Sequence, residues 1–229
     1  VPGAWLAYST VTLTRFGRQE YVFEGTSTSD WNTAENWNKD AVPNQYHIVK
    51  IEADVNISTP VEVYGISIDE GDTINITSKG GLTVGQGGVT NANDGSISID
   101  NTPTGAGYFR IDPATDNKLT SKVKVNYSTK AYDRGSVNNE IWQYMGAPGE
   151  NMEANMAGAT IYYWNETTGW QRHSGTMTPF AGYAFTQNKS TEAEYAVNVT
   201  PIFDDQQIDF TCTTSGSGMR GDNLFVNSY

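Results

Sequence analysis

The residues of this chain that come closest to a chemical site are oxygen-bearing side chains in two glycine-containing turns, residues 69–72 and 91–95. Carboxylate and amide oxygens are the ligands that calcium takes in proteins. The candidate calcium ligands are therefore Asp69, Asp72, Asn93 and Asp94. Neither turn has the spacing of a twelve-residue calcium loop or of a nonapeptide calcium repeat. We accordingly expect no obligatory metal or other cofactor, with calcium at these turns as the alternative.

Groups suited to nucleophilic or acid–base catalysis are sparse. The one cysteine, Cys212, cannot form an internal disulfide and is expected to be a buried strand thiol. His47 and His173 lie far apart in the sequence and belong to no catalytic motif. The paired acids at residues 69/70, 192/194 and 204/205 fall in turns or alternate along strands, as solvated side chains do. The sequence therefore predicts no catalytic residues and no enzyme activity.

Tryptophans are the other residues with the chemistry of a binding site. Trp31 and Trp37 lie six residues apart, and each is followed by asparagine, which indicates a compact polar loop held by two indole rings. We favour a loop that caps a core, because large rings bury well. The alternative is a platform on which sugar rings stack. The residues considered for glycan contact are Trp31, Trp37, Trp164 and Trp170.

The elements that must position these residues are short strands. From Ile48 onward, apolar residues recur two apart in short segments that glycine, asparagine and aspartate turns divide. Such strands cannot bury a face individually, but they can stack as successive coils. The pattern predicts a short parallel β-helix or β-roll over about residues 45–112, with an antiparallel meander as the alternative. The longer aromatic strands beyond it predict an antiparallel, jelly-roll-like β-sandwich.

This all-β interpretation divides the chain into three parts. Residues 1–25 are expected to be the tail of a preceding β domain or linker strands, and residues 26–112 the tryptophan-capped unit of stacked short strands. Residues 113–229 are expected to form the sandwich unit, truncated at its C-terminal end. Because residues 223–229 resemble a strand and its turn that stop abruptly, we expect the chain to be a fragment of a longer polypeptide.

Net charge and hydropathy exclude several kinds of partner. The formal charge is −12 and the sequence pI is about 4.5, so the surface repels phosphate backbones and nucleic acid is not expected as a partner. The sequence has no polybasic cluster for an anionic membrane. It also has no apolar run approaching the roughly 20 residues of a membrane helix. We therefore expect a protein that is not embedded in a membrane.

Several of these segments together resemble large secreted cell-surface proteins of the Bacteroidetes. The matching motifs are the loop from Trp31 to Trp37 with Val42-Pro43, the strand and turn from Trp142 to Pro148, Tyr162-Tyr163-Trp164, Gly182-Tyr183-Ala184-Phe185, and Asn223 to Tyr229. Ser228 stands where the family's pattern usually has proline. The resemblance spans roughly residues 26–229. It implies an extracellular protein of the bacterial cell surface, commonly exported by the type IX secretion route, and it brings no catalytic residues.

The function expected from these features is that of a non-enzymatic structural or adhesive module (an adhesin) of an exported surface protein. The alternative is a carbohydrate-binding module or an inactive relative of a β-helical polysaccharide lyase. The cationic side chains near the short strands do not repeat at the coil spacing, which argues against a lyase. Expected partners are neighbouring domains of the same polypeptide, other surface proteins, and glycans. The resemblance also makes Thr73, in Asp72-Thr73-Ile74, a candidate site of O-glycosylation.

Overall fold

The computed structural model describes residues 17–102, 104–129, 142–147, 149–154, 159–165, 168–187 and 193–202. Within these ranges the chain forms fifteen β-strands and one short 3-10 turn (Ala34–Asn36), with no α-helix. The predicted all-β class is therefore confirmed. No helix in these ranges is long and apolar enough to cross a membrane. The strands expected in residues 5–16, 207–212 and 223–229, and the thiol of Cys212, lie outside the described residues.

The strands belong to three sheets, A, B and C. In chain order they are β1 (Glu20–Phe23), β2 (Ile48–Ile51), β3 (Val55–Ile57), β4 (Pro60–Ile68), β5 (Ile74–Ile76), β6 (Gly81–Thr90), β7 (Ile97–Thr102), β8 (Gly105–Ala106), β9 (Tyr108–Ile111), β10 (Val123–Thr129), β11 (Gln143–Gly146), β12 (Ala159–Asn165), β13 (Gly169–Arg172), β14 (Gly182–Gln187) and β15 (Ala193–Val199). Sheet A has the order β1-β2-β4-β6-β9, sheet B the order β15-β10-β7-β5-β3 with β8 beside β7, and sheet C the order β11-β14-β12-β13.

From β2 onward the chain alternates between sheets A and B and forms a parallel β-solenoid, which confirms the predicted stack of short strands and excludes the meander. The coils lengthen along the axis. Ile48 pairs with Gly65, 17 residues later, whereas Gly81 pairs with Tyr108, 27 residues later. The stack therefore accommodates longer turns, and one register shift between Val63 and Gly65, while its strands stay parallel.

The interior of the solenoid consists of columns of β-branched side chains in register. Ile57, Ile76, Ile99 and Val125 occupy equivalent positions of four successive strands in sheet B. Strands with this alternation bury one face each, and stacking makes that buried face continuous. On the outer face of sheet B the equivalent positions are polar, and the hydroxyl of Ser98 donates a hydrogen bond to Oδ1 of Asn75 over 2.7 Å.

The tryptophan loop covers the N-terminal end of the solenoid. Trp37 forms a backbone bridge with Phe23 of β1, and Asp30 forms one with Asn56 of β3, so the loop spans the first strands of both sheets. Trp31 and Trp37 are fully buried, with their ring centroids 4.8 Å apart in an edge-to-face arrangement. An open solenoid end would expose unpaired backbone groups and apolar faces. The loop covers both.

Sheet C and β15 lie at the opposite end. β15 runs antiparallel to β10, and β10 itself pairs in parallel with β7, so sheet B continues across the boundary expected at residues 112–113. The antiparallel character predicted beyond residue 113 is confirmed in sheet C. The ring of Phe185 in sheet C packs against Tyr195 of β15 at 5.7 Å. One hydrophobic core thus runs from the cap to sheet C, and the division into two units at residues 112–113 stays a prediction.

The first described strand belongs to the solenoid. β1 pairs with β2 in parallel, from Glu20 beside Ile48 to Phe23 beside Ile51. It is therefore the first strand of sheet A, and the division of the chain at residue 25 stays a prediction. Residues 1–16 lie outside the described part of the chain.

Candidate functional site

The outer face of sheet C carries a row of aromatic side chains. In the antiparallel register Tyr144 lies opposite Ala184, Ala184 opposite Tyr162, and Tyr162 opposite Arg172. Side chains opposite one another, and those two residues away, share a face of a sheet. We call the resulting surface the aromatic face, and it consists of Trp142, Tyr144, Tyr162, Trp164 and Trp170.

The rings of the aromatic face pack in two neighbouring groups, Trp142 with Tyr162 and Tyr144 with Trp170 and Trp164. Trp142 contacts Tyr162 edge-to-face with centroids 5.5 Å apart, and Trp164 contacts Trp170 in the same way at 5.3 Å. The Tyr144 and Trp170 rings lie 6.2 Å apart with their planes inclined by only 28°. The rings can converge because the central strand, β14, carries only small side chains on this side of the sheet, such as the buried Ala184.

This cluster is exposed, in contrast to the opposite side of sheet C. Tyr144 is 66% exposed, Trp170 39% and Trp142 38%. In the described part of the chain only one other large hydrophobic side chain, Tyr46, is comparably exposed. Alternate residues of the same strands, such as Phe185, are buried in the core. Contiguous exposed apolar surface is costly in water and marks interaction sites, so the aromatic face is the candidate functional site.

The electrostatics of sheet C differ from those of the chain as a whole. Its four strands contain one charged residue, Arg172, and no aspartate or glutamate, although the chain carries a net charge of −12. Arg172 is exposed and lies on the same side as the aromatic face, opposite Tyr162. Among the described residues no carboxylate forms an ion pair with it; the ion pairs found there join Lys50 to Glu52 and Asp69.

The four tryptophans considered for glycan contact separate into two pairs. Trp31 and Trp37 are buried in the cap, so neither ring presents a face to a ligand. Trp164 and Trp170 both belong to the aromatic face. Sequence analysis missed Trp142, Tyr144 and Tyr162 as members of the same surface. The usable pattern was the two-residue spacing of aromatics at 142/144 and 162/164, which in a strand places the rings on one side.

Two of the four candidate calcium ligands, Asp69 and Asp94, join successive coils of the solenoid. The carboxylate of Asp69 accepts an ion-paired hydrogen bond from Lys50 at 2.9 Å, and contacts with Glu52 and Asp69 raise the pKa of Lys50. Oδ1 of Asp94 accepts the backbone N–H of Lys122 at 2.7 Å. Among the described residues no group of three or more acidic, histidine or cysteine side chains is arranged to hold a metal ion.

Thr73, the candidate glycosylation site, directly follows the turn of residues 69–72 and has a structural role there. Its hydroxyl donates a hydrogen bond to Oδ1 of Asp54 at 2.7 Å, and its backbone N–H donates to the same oxygen at 2.9 Å. The adjacent Asp72 is half-buried. Burial, followed by the charges of Asp54, Asp69 and Glu52, raises its pKa above the ordinary value of 3.8.

Both histidines are held in separate packing positions. The His47 ring stacks on Tyr21 at 4.3 Å, its Nδ1 accepts the N–H of Asn44 at 3.1 Å, and burial lowers its pKa. The His173 ring packs against Tyr183 at 5.0 Å, and its Nε2 lies 3.2 Å from the carbonyl oxygen of Thr176. The structure thus brings neither histidine into the aromatic face.

Comparison of the chain with protein-family models, with curated proteins and with solved structures found no match. The resemblance to Bacteroidetes surface proteins therefore stays a prediction. The geometry of the aromatic face is therefore the main indication of function.

Proposed function

We propose that this chain is a non-enzymatic adhesive module of an exported bacterial surface protein, and that it attaches to its target through the aromatic face of sheet C. The observation that carries the proposal is the contrast between the two sides of this sheet. One side is built into the core, while the other leaves Trp142, Tyr144 and Trp170 exposed on the same face. Folding alone offers no reason to expose three large rings in one place.

The rest of the molecule suits the presentation of such a surface. The in-register columns of the solenoid and its tryptophan cap form a support that is continuous with the inner side of sheet C. Aromatic side chains have few rotatable bonds, so they lose little conformational entropy when they bind. A sheet that holds them in place reduces that cost further.

A specific observation also favours the alternative of a carbohydrate-binding module. Trp164 and Trp170, two of the residues considered for glycan contact, lie together in the exposed cluster beside Tyr144. The flat faces of such rings match the apolar C–H faces of pyranose rings. A module that adheres to a glycan would be both an adhesive module and a carbohydrate-binding module.

Retention of coated beads tests the adhesive function. Beads carrying the chain are passed over surfaces coated with neutral polysaccharides, with anionic polysaccharides or with the chain itself. We expect retention on at least one surface, and a reduction of about tenfold with Trp170→Ala, as for a central interface aromatic. Tyr46→Ala is the matched control, because Tyr46 is 63% exposed but lies outside sheet C. Equal retention of all three proteins on every surface would contradict the proposal.

A cleavage assay tests whether the chain is non-enzymatic. The same polysaccharides are incubated with the chain, with and without calcium, and the release of new reducing ends and of unsaturated products is followed. We expect neither. Reproducible cleavage that disappears when an acidic residue is replaced would show an enzyme.

A further inference from the structure

We infer that the ligand of the aromatic face is an anionic polysaccharide, with Arg172 binding its carboxylate or sulfate groups. This deepens the proposed function and rests on it, since the same surface is used. Arg172 lies opposite Tyr162 and two residues from Trp170 on β13, so the guanidinium borders the ring cluster. A ring platform beside one cation matches a pyranose that carries an acidic group.

The exposure and the ion pairing of the Arg172 side chain support a role in binding. Its side chain is exposed, and among the described residues no carboxylate pairs with it. A guanidinium presents a planar fork of N–H donors that fits a carboxylate or sulfate in a bidentate manner. Because no ion pair with a described residue has to be broken, an incoming anion meets this donor set at little cost.

The charge distribution selects an anionic over a neutral ligand. A chain with a net charge of −12 repels polyanions over most of its surface. The strands of sheet C are the exception, because Arg172 is their one charged residue. A neutral glycan could only accept hydrogen bonds from this guanidinium, whereas an anionic glycan also gains the attraction between opposite charges.

A second copy of the chain fits the surface less well. In a two-fold symmetric contact the aromatic faces would meet, and each Arg172 would find rings and the other Arg172 with no carboxylate from the strands of sheet C. Both partners would also carry a charge of −12. An anionic polysaccharide supplies the missing negative charge.

Matched polymers that differ only in charge test this inference. Affinity electrophoresis is run with polygalacturonate and its methyl-esterified form, and with hyaluronan and its carboxyl-reduced form. We expect at least one anionic polymer to bind about tenfold more tightly than its neutral partner at low salt, and the difference to shrink as salt rises. Arg172→Gln should abolish the difference, and Arg172→Lys should retain part of it. Arg110→Gln, an exposed arginine of β9 in sheet A, is the matched control and should behave as the unaltered chain.

Three other outcomes would overturn the inference, and each would point to a different explanation. Equal binding of charged and neutral polymers, unchanged in Arg172→Gln but lost in Trp170→Ala, would leave the adhesive function standing with a neutral ligand. No polymer binding, together with oligomers in sedimentation that Trp170→Ala dissociates, would show that the face joins copies of the chain. No binding and no bead retention on any surface would remove both proposals. Thermal unfolding of Arg172→Gln should match the unaltered chain, which separates lost binding from lost folding.

Discussion

The indole N–H of Trp37 donates a hydrogen bond to the backbone carbonyl oxygen of Trp31 over 2.8 Å, and this bond is buried within the cap. The two side chains are equally buried, but their indole N–H groups differ in hydrogen bonding. Among the described residues the indole N–H of Trp31 has no hydrogen-bond partner. Two tryptophans of equal burial therefore differ in one interaction, which makes them a natural comparison.

Replacing each of these tryptophans with phenylalanine should separate packing from hydrogen bonding. Trp37→Phe removes ring volume and leaves the Trp31 carbonyl oxygen without its donor, whereas Trp31→Phe removes an N–H that is already unpaired. We expect Trp37→Phe to cost about 1–2 kcal/mol more in the free energy of unfolding, measured by urea denaturation. Trp37→Ala should cost about 3–5 kcal/mol. The exposed Trp170→Phe is the control and should change little; equal costs for the two buried sites would contradict the account.

Asn36 organises the same loop through its side-chain amide. Its Oδ1 accepts the backbone N–H groups of Ser27 and Thr28, and its Nδ2 donates to the Thr28 hydroxyl oxygen and to the carbonyl oxygen of Asp30. Asn36→Asp removes both donors and buries a charge, so it should destabilise the chain by about 2–4 kcal/mol at pH 7. The new carboxyl should have a raised pKa in the folded state. Part of the loss should therefore be recovered in acid, where a protonated oxygen can donate to Asp30.

Asn38→Asp is the matched control for that substitution. The exposed Asn38 uses Oδ1 alone, as acceptor for the backbone N–H of Val22. A carboxylate preserves this bond, so urea denaturation should show a change within about 0.5 kcal/mol. A comparable loss at both positions would show that added negative charge, and not the amide donors, is responsible.

Two glycines with positive φ should respond differently to alanine. Gly88 in β6 has φ +66°, and an added Cβ would meet the carbonyl oxygen of Asn117, which accepts the N–H of Val89. Gly71 has φ +96° with open space around it. Gly71→Ala carries only the backbone penalty of about 1 kcal/mol. Gly88→Ala must also displace the loop that contains Asn117 and should cost about 2–4 kcal/mol in chemical denaturation. Similar costs for the two substitutions would contradict a close contact between Gly88 and Asn117.

Asp72 should make the folded chain less stable as it ionises. Its pKa is raised above 3.8, so the folded state holds the proton more tightly than the unfolded state. Stability is therefore greatest below the unfolded pKa and is lost as pH rises through the folded pKa. We expect Asp72→Asn to have a higher Tm than the unaltered chain at pH 7, with the difference vanishing near pH 3. Glu70→Gln, at an exposed position of the same turn, is the control, and a gain equal to that of Asp72→Asn would indicate a general charge effect.

Much of the fold follows from local sequence. Apolar residues two apart in segments as short as Ile74–Ile76, separated by polar turns, bury a face only by stacking, so a parallel solenoid was predictable. The pair Trp31 and Trp37 likewise predicted a compact loop held by indoles. These features depend on neighbours within a few residues, where spacing and side-chain type determine conformation.

The tertiary structure alone decided how the ends are closed and which rings face water. Tyr127 pairs with Tyr195, 68 residues later, and this antiparallel return extends sheet B across the boundary that composition suggested. Local sequence left all four tryptophans open to glycan contact as the alternative. The cap encloses Trp37, and the register of β12 and β13 turns Trp170 outward. Arg172 likewise joins the aromatic face through its pairing with Tyr162. Pairings between distant strands are chosen by the energy of the whole core, so the sequence determined the building elements and the long-range packing determined the site.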